Sequence, residues 1–126
     1  MTASRSVLVV DDDAGAVETL VDILEANVHR VSSAASGEAA IDIARRTRQD
    51  AALVDIVMPG LNGVETLRAL KASAPDATLI LMTAFARHPL VQEGLTAGAS
   101  AVLWKPLDID RVVRLIEQSP AEPGAR

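Results

Sequence analysis

The stretch that decides the fold is Val7-Leu8-Val9-Val10-Asp11-Asp12-Asp13. Four aliphatic residues in a row read as a buried strand. Three carboxylates end it. Directly downstream, Val17, Leu20, Val21 and Leu24 recur at i, i+3, i+4 and i+7, the stripe of an amphipathic helix.

Working outward, the same alternation repeats along the chain. Val28 to Ser33 reads as a second, weaker strand. Ser36 has the character of an N-cap, and Ala40, Ile43 and Ala44 give the next helix a small apolar face. Ala51 to Asp55 is a third strand, followed by the turn-rich segment Met58-Pro59-Gly60-Leu61-Asn62-Gly63. Val64, Leu67 and Leu70 mark a third helix. Thr78 to Met82 is a fourth strand ending at Thr83. Pro89 fits the first turn of a fourth helix that carries Val91 and Leu95. Ala101 to Trp104 is a fifth strand, and Ile109, Val112, Val113 and Ile116 stripe a last helix. From Ser119 the chain reads as a polar tail or the start of a linker, so the expected organisation is one domain over 1–118 and a tail over 119–126. Five strands alternating with five helices predict an α/β fold, a doubly wound parallel sheet in the order 2-1-3-4-5.

Composition fits a core of small aliphatic side chains. Of 126 residues 49% are hydrophobic, yet the only aromatics are Phe85 and Trp104. Trp104 is expected in the packing. The net charge of -5 argues against nucleic-acid binding by this domain. Its nearest approach to a basic run, Arg45, Arg46 and Arg48, sits where a helix end and its dipole would be. There is no cysteine, which excludes disulfides and thiolate metal sites. No signal peptide or membrane span is legible, so the expectation is a cytoplasmic protein. His29 and His88 have no partners at ligand spacing and are expected to face solvent.

The chemistry is written at the strand ends. In a doubly wound sheet the functional crevice lies beyond the carboxyl ends of the strands, where the strand order reverses. Strand one ends in Asp11-Asp12, strand three in Asp55, strand four in Thr83 and strand five in Lys105. The carboxylates of strands one and three should converge at the switch point. Converging carboxylates repel unless a cation sits among them, and magnesium suits an all-oxygen set that also meets phosphate. Lys105 supplies positive charge for a transferring phosphoryl oxygen, Thr83 a hydroxyl donor, and Asp55 is left as the nucleophile. Each residue alone has a plainer explanation. Acidic residues before a helix often only cap it, and Asp13 is the expected N-cap. Asp55 alone could start a turn, and Lys105 alone could be a surface lysine. Plain causes do not place all of them at four strand ends together.

Those residues also carry a resemblance. Val9 to Asp13, Val54-Asp55-Ile56-Val57-Met58-Pro59-Gly60, Met82-Thr83-Ala84 and Lys105-Pro106 resemble, in order and separation, the four signature segments of response-regulator receiver domains, the CheY-like superfamily. The resemblance covers roughly residues 5 to 118. It implies that Asp11 and Asp12 are the acidic pair, Asp55 the phosphoacceptor, Thr83 the switch hydroxyl and Lys105 the signature lysine. It further implies that the backbone carbonyl of Val57 joins the magnesium ligands, and that the Lys105-Pro106 bond can be cis. The implied partners are a histidine kinase or histidine phosphotransfer protein as donor and a downstream output domain or protein. Self-pairing through the face of helix 4, strand 5 and helix 5 is also open. One departure stands out: the aromatic residue usual three positions before the lysine is Val102 here.

Two other functions compete. A haloacid-dehalogenase-like phosphohydrolase uses an Asp-x-Asp on strand one, but Gly15 replaces its usual Thr or Val and the chain lacks room for a cap. A pseudo-receiver would use the fold only to dock partners; intact Asp55 and Lys105 argue against it, and Val102 mildly for it.

Overall fold

A computed structural model describes residues 4–85 and 88–120. Ten elements alternate: β1 (Ser6–Val10), α1 (Ala14–Ala26), β2 (Arg30–Ala34), α2 (Gly37–Arg46), β3 (Ala51–Asp55), α3 (Gly63–Ser73), β4 (Thr78–Thr83), α4 (Leu90–Thr96), β5 (Ala101–Trp104) and α5 (Ile109–Glu117). The strands form one sheet in the order β2-β1-β3-β4-β5, every pair parallel, as the sequence predicts.

Strand alternation divides the aliphatic residues into two layers. Leu8, Val10, Ala52, Val54, Leu79, Leu81 and Val102 face one side, where Ala40, Val64, Leu67 and Leu70 of α2 and α3 cover them. Val7, Val9, Leu53, Ile80, Met82 and Leu103 face the other, under Leu20 and Leu24 of α1 and Val112 and Ile116 of α5. Each fully buried Leu or Ile contributes about 1.5–3 kcal/mol by leaving water. A core with no ring in it reaches the needed total by number rather than by size.

Local signals start the helices. Asp13 caps α1 by accepting from the amides of Gly15 and Ala16, and Ser36 caps α2 through Ala39. Asn62 and Glu65 form a reciprocal capping box on α3. Gly63 is obligatory there: a Cβ would stand 2.3 Å from the carbonyl oxygen of Asp55 and 2.6 Å from Ile56 Cα. The start of α3 is thus pressed onto the backbone that follows β3.

Four expectations need correction. β2 begins at Arg30, not Val28, because Asn27 ends α1 and Val28 takes a left-handed φ of 64°, with its side chain 68% exposed. Trp104 lies outside the core, 45% exposed at the end of the edge strand. In α4, Leu95 points outward and Gly94 faces in, so close that a Cβ would meet Leu81 Cδ1 at 2.2 Å. His29 is buried, not solvent-facing: its Nδ1 accepts from the amide of Arg5 at 3.0 Å. His88 is half-buried and its Nδ1 accepts from the Leu90 amide.

Arg5 and His29 belong to a polar cluster that joins the start of β1, the α1–β2 loop and the end of α5. The Arg5 guanidinium donates from Nε to Ser119 O at 2.8 Å and from Nη2 to Glu117 O at 2.7 Å. It thereby satisfies carbonyls that α5 leaves open. Ser119 is buried, and residues 121–126 of the expected tail lie outside the described residues. Among the described residues no helix is long and apolar enough to cross a membrane.

Candidate functional site

The residues predicted from the strand ends do meet. Asp11 and Asp12 follow β1, Asp55 closes β3, Thr83 closes β4 and Lys105 follows β5, all at the carboxyl edge of the sheet. Register makes this geometric rather than accidental. Val10 pairs with Val54, Asp55 with Met82, and Thr83 with Trp104, so the four chain exits stand side by side.

Lys105 ties the exits together. Its Nζ donates to Asp11 Oδ2 at 2.8 Å and to Asp55 Oδ2 at 3.1 Å. Burial alone lowers the Lys105 pKa, but hydrogen bonds to the two carboxylates outweigh it and the net shift is upward. Burial pushes the Asp55 carboxyl up; Lys105 opposes that and the Asp11 charge adds to it. Asp55 is therefore a buried acid, 8% exposed, whose charged form is disfavoured by burial and favoured chiefly by one ammonium group. Its other oxygen, Oδ1, accepts from the Val57 amide at 3.2 Å, which fixes the carboxylate plane.

The carboxylate oxygens of Asp11, Asp12 and Asp55 lie within 4.8 Å of one another. Asp11 and Asp55 are buried and Asp12 is exposed, so the cluster opens toward solvent on the Asp12 side. Hard oxygen donors this close suit a small divalent cation that keeps part of its water shell. Asp13 is drawn away: its Oδ1 is engaged by the first amides of α1, while its own amide donates to Asp11 Oδ1 at 3.0 Å. The structural reading of Asp13 is thus the one the geometry favours.

The Thr83 hydroxyl is buried and locally satisfied. It accepts from the Phe85 amide at 3.0 Å and donates to the Phe85 carbonyl at 3.3 Å. Val102 is buried in the core and pairs across the sheet with Leu81, while Val57 and Phe85 present exposed apolar side chains. A cis peptide joins Lys105 to Pro106. Sequence reasoning did not anticipate the amide of Val57 as a brace for Asp55, because a backbone donor leaves no mark on residue type.

Fold and site together define a receiver domain, and comparison with known proteins agrees. The family model of the response regulator receiver domain matches residues 7–117. Sporulation initiation phosphotransferase F of Bacillus subtilis is 32% identical over 109 residues, 86% of this chain and 88% of that one. The transcriptional regulatory protein ZraR of Salmonella typhimurium is 37% identical over 122 residues, 94% of this chain but 28% of that one. Among solved structures, the receiver domain of sensor histidine kinase PA1611 from Pseudomonas aeruginosa superposes with a TM-score of 0.82 at 28% identity, covering 92% of this chain and 97% of that one, and has a magnesium ion coordinated in its active-site cleft. The chain belongs to the response-regulator receiver family. It is a receiver domain of two-component signalling, built as a phosphoaccepting switch. Such domains bind magnesium at an acidic pocket, interact with histidine kinases and output domains, and are generally non-catalytic switches. Neither the phosphohydrolase nor the docking-only reading is favoured.

Proposed function

We propose that Asp55 is the residue phosphorylated in this chain. The observation that carries the reading is the pair of hydrogen bonds from Lys105 to Asp11 and Asp55 at the floor of the acidic cluster. An Asp55 carboxylate oxygen attacks phosphorus, the bond from phosphorus to the donor group breaks, and the departing group takes up a proton. The product is an acyl phosphate. Asp11, Asp12, Asp55 and the backbone carbonyl of Val57 would hold magnesium, which when bound supplies charge neutralisation for the phosphoryl oxygens.

The chain's own residues do the rest. Lys105 is already seated beside Asp55 and can follow charge from the carboxylate to the new phosphoryl group. Thr83 can turn its hydroxyl from Phe85 toward another phosphoryl oxygen, which would release the Phe85 turn and convey the change to the surface. A histidine kinase or histidine phosphotransfer protein is the proposed donor, and an output domain or protein the recipient. The receiver unit spans 1–118, with 119–126 as tail or linker. Beyond its own phosphoryl transfer and a slow self-dephosphorylation we assign it no enzymatic activity. A cytoplasmic location fits such a partner. Pairing of two copies through α4, β5 and α5 fits the exposed Leu95 and Trp104 on that face.

With magnesium and acetyl phosphate, intact-mass measurement should find one added phosphoryl group, lost in Asp55→Asn and kept in Asp13→Ala. Phosphorylation retained in Asp55→Asn moves the nucleophile elsewhere and sinks the assignment. Magnesium affinity should fall by about tenfold or more in Asp12→Ala and stay unchanged in Asp22→Ala.

A further inference from the structure

At the edge of the sheet opposite Asp55, His29 is buried beside Arg5, only 5% exposed. Its Nδ1 accepts from the backbone amide of Arg5 at 3.0 Å, so the ring is neutral and carries its hydrogen on Nε2. That Nε2 has no hydrogen-bond partner. A neutral imidazole thus leaves one donor unmet. A charged one in the same place leaves two, the second aimed straight at the Arg5 amide. Two donors cannot share a hydrogen bond.

Both partners are held from behind. The His29 amide donates to Leu24 O at 3.1 Å, tying the imidazole's own backbone to the last turn of α1, and the Arg30 amide donates to Arg5 O at 2.9 Å. The Arg5 guanidinium meanwhile reaches α5, from Nε to Ser119 O and from Nη2 to Glu117 O. One residue therefore carries the proton-sensitive contact on its amide and the grip on α5 on its side chain. Burial is the largest influence on the ring and opposes its charging. Among the described residues, the Glu117 carboxylate from α5 favours a proton there and the Arg5 charge from the start of β1 opposes it. Arg30, next on β2, sends its guanidinium to Ser6 Oγ.

We propose that His29 and Arg5 form a proton-operated latch on the end of α5: a proton taken up at His29 Nδ1 drives off the Arg5 amide and, with it, the guanidinium that holds the Glu117 and Ser119 carbonyls. The chain start gives way first, because residue 5 stands ahead of β1 whereas His29 is anchored between α1 and β2. The step is a protonation and nothing more. Solvent supplies the proton, the Arg5 N–H turns to water, and the imidazolium and guanidinium charges then repel across the opened contact. Two carbonyls at the end of α5 lose their donor, and the last turn frays. Ser119, buried while the latch is closed, becomes exposed. The cluster stands at the strand starts and Asp55 at a strand end, so the device does not depend on the role proposed for Asp55.

Titration of the 15N-labelled full chain from about pH 7.5 to 5, with the imidazole nitrogens followed alongside the backbone amides, tests the latch. His29 should take up its proton below the ordinary value of 6.5, and the Arg5 amide should move with the same midpoint. Hydrogen exchange at Gln118 and Ser119, corrected for its intrinsic pH dependence, should accelerate about tenfold or more over that range, with exchange in β4 unchanged. His29→Asn keeps an oxygen where Nδ1 stands and cannot take up a proton, so the acceleration should disappear. Glu117→Gln removes the charge that favours the proton, leaves the backbone carbonyl in place, and should lower the midpoint further. A ring that titrates while Arg5 and residues 117–119 stay still, an acceleration that β4 shares, or one that survives in His29→Asn overturns the proposal and leaves His29 a buried core residue.

Discussion

Lys105 Nζ stands 3.1 Å from Asp55 Oδ2, although 50 positions separate the two residues in sequence. That ammonium offsets only part of what burial does to Asp55, whose pKa remains raised. The sign of the consequence is fixed. A carboxyl with a raised folded pKa holds its proton to higher pH than the unfolded chain does. Its stability contribution is therefore present at low pH and is lost as pH rises through the folded value. Asp55→Asn removes that loss, so its melting temperature at pH 7 should exceed wild type by a few degrees, on the order of 1 kcal/mol. The gain should shrink as pH is lowered toward about 4, where the unfolded chain also takes up the proton that the folded carboxyl already holds. Equal melting temperatures at pH 7 would show that Lys105 fully compensates the burial.

His29 gives stability a second pH dependence, of opposite sign. Burial lowers its pKa, the nearby Arg5 charge lowers it further, and Glu117 partly opposes both. With a lowered folded pKa, the unfolded chain takes up the proton first. The contribution is complete above the unfolded value of 6.5 and is lost as pH falls below it toward the folded pKa. Urea midpoints measured between about pH 7 and 5 should decline in wild type and decline less in His29→Gln. Parallel profiles would mean that the imidazole accommodates a proton in place, with Glu117 as its partner.

Arg5 should matter more than its place near the chain start suggests. Its guanidinium fills carbonyls of Glu117 and Ser119 that no other described group is seen to fill. Arg5→Met keeps the stem and removes the donors, and should cost about 2–3 kcal/mol. Hydrogen exchange at residues 117–119 should accelerate more than exchange in β3. A uniform acceleration would mean that Arg5 supports the whole fold rather than the end of α5.

How much of this was legible depends on whether residue type or tertiary context does the deciding. Val7 to Val10 and Ala51 to Asp55 are buried on both faces, so hydrophobic runs announce them and their boundaries came out almost unchanged. Asp11, Asp12, Asp55, Thr83 and Lys105 were visible because each interrupts an aliphatic run. Val28 misled because a β-branched residue argues for strand, while the need to end α1 put it at positive φ. His29 and Arg5 were invisible as a pair: nothing local links position 5 to positions 29 and 117. Trp104 was misplaced because β5 is an edge strand, and the face it presents at its end is not covered by a helix.

That exposed indole offers a reporter. The Cα of Trp104 is the register partner of Thr83, whose hydroxyl is held by Phe85. If Thr83 reorients on activation, the end of β5 should feel it directly. Fluorescence of this sole tryptophan should change in intensity or wavelength when beryllofluoride, a stand-in for the phosphoryl group, binds with magnesium. The change should vanish in Thr83→Ala with Asp55 intact. An unchanged spectrum at saturation would mean that the end of β5 stays still and that Val102 has severed the route.

The lifetime of the phosphorylated state should be set at the rim. An acyl phosphate is lost when water attacks phosphorus in line, and a positioned water reacts far faster than a diffusing one. Two exposed apolar side chains follow the site strands: Val57, 44% exposed, whose amide donates to Asp55, and Phe85, 59% exposed, whose amide donates to Thr83. Neither can accept a proton from water or hold it by a hydrogen bond. Slow self-dephosphorylation follows. Val57→Asn combined with Phe85→Glu supplies an amide and a carboxylate at the same two places without touching the backbone contacts that brace Asp55 and Thr83. The double variant should lose its phosphoryl group about tenfold faster or more, because oriented acid-base groups are worth at least that. Decay followed by mass after removal of acetyl phosphate measures it, with magnesium held constant so that only water access differs. Equal decay in variant and wild type would assign control of the water to backbone motion in the loops after β3 and β4 instead of to these two side chains.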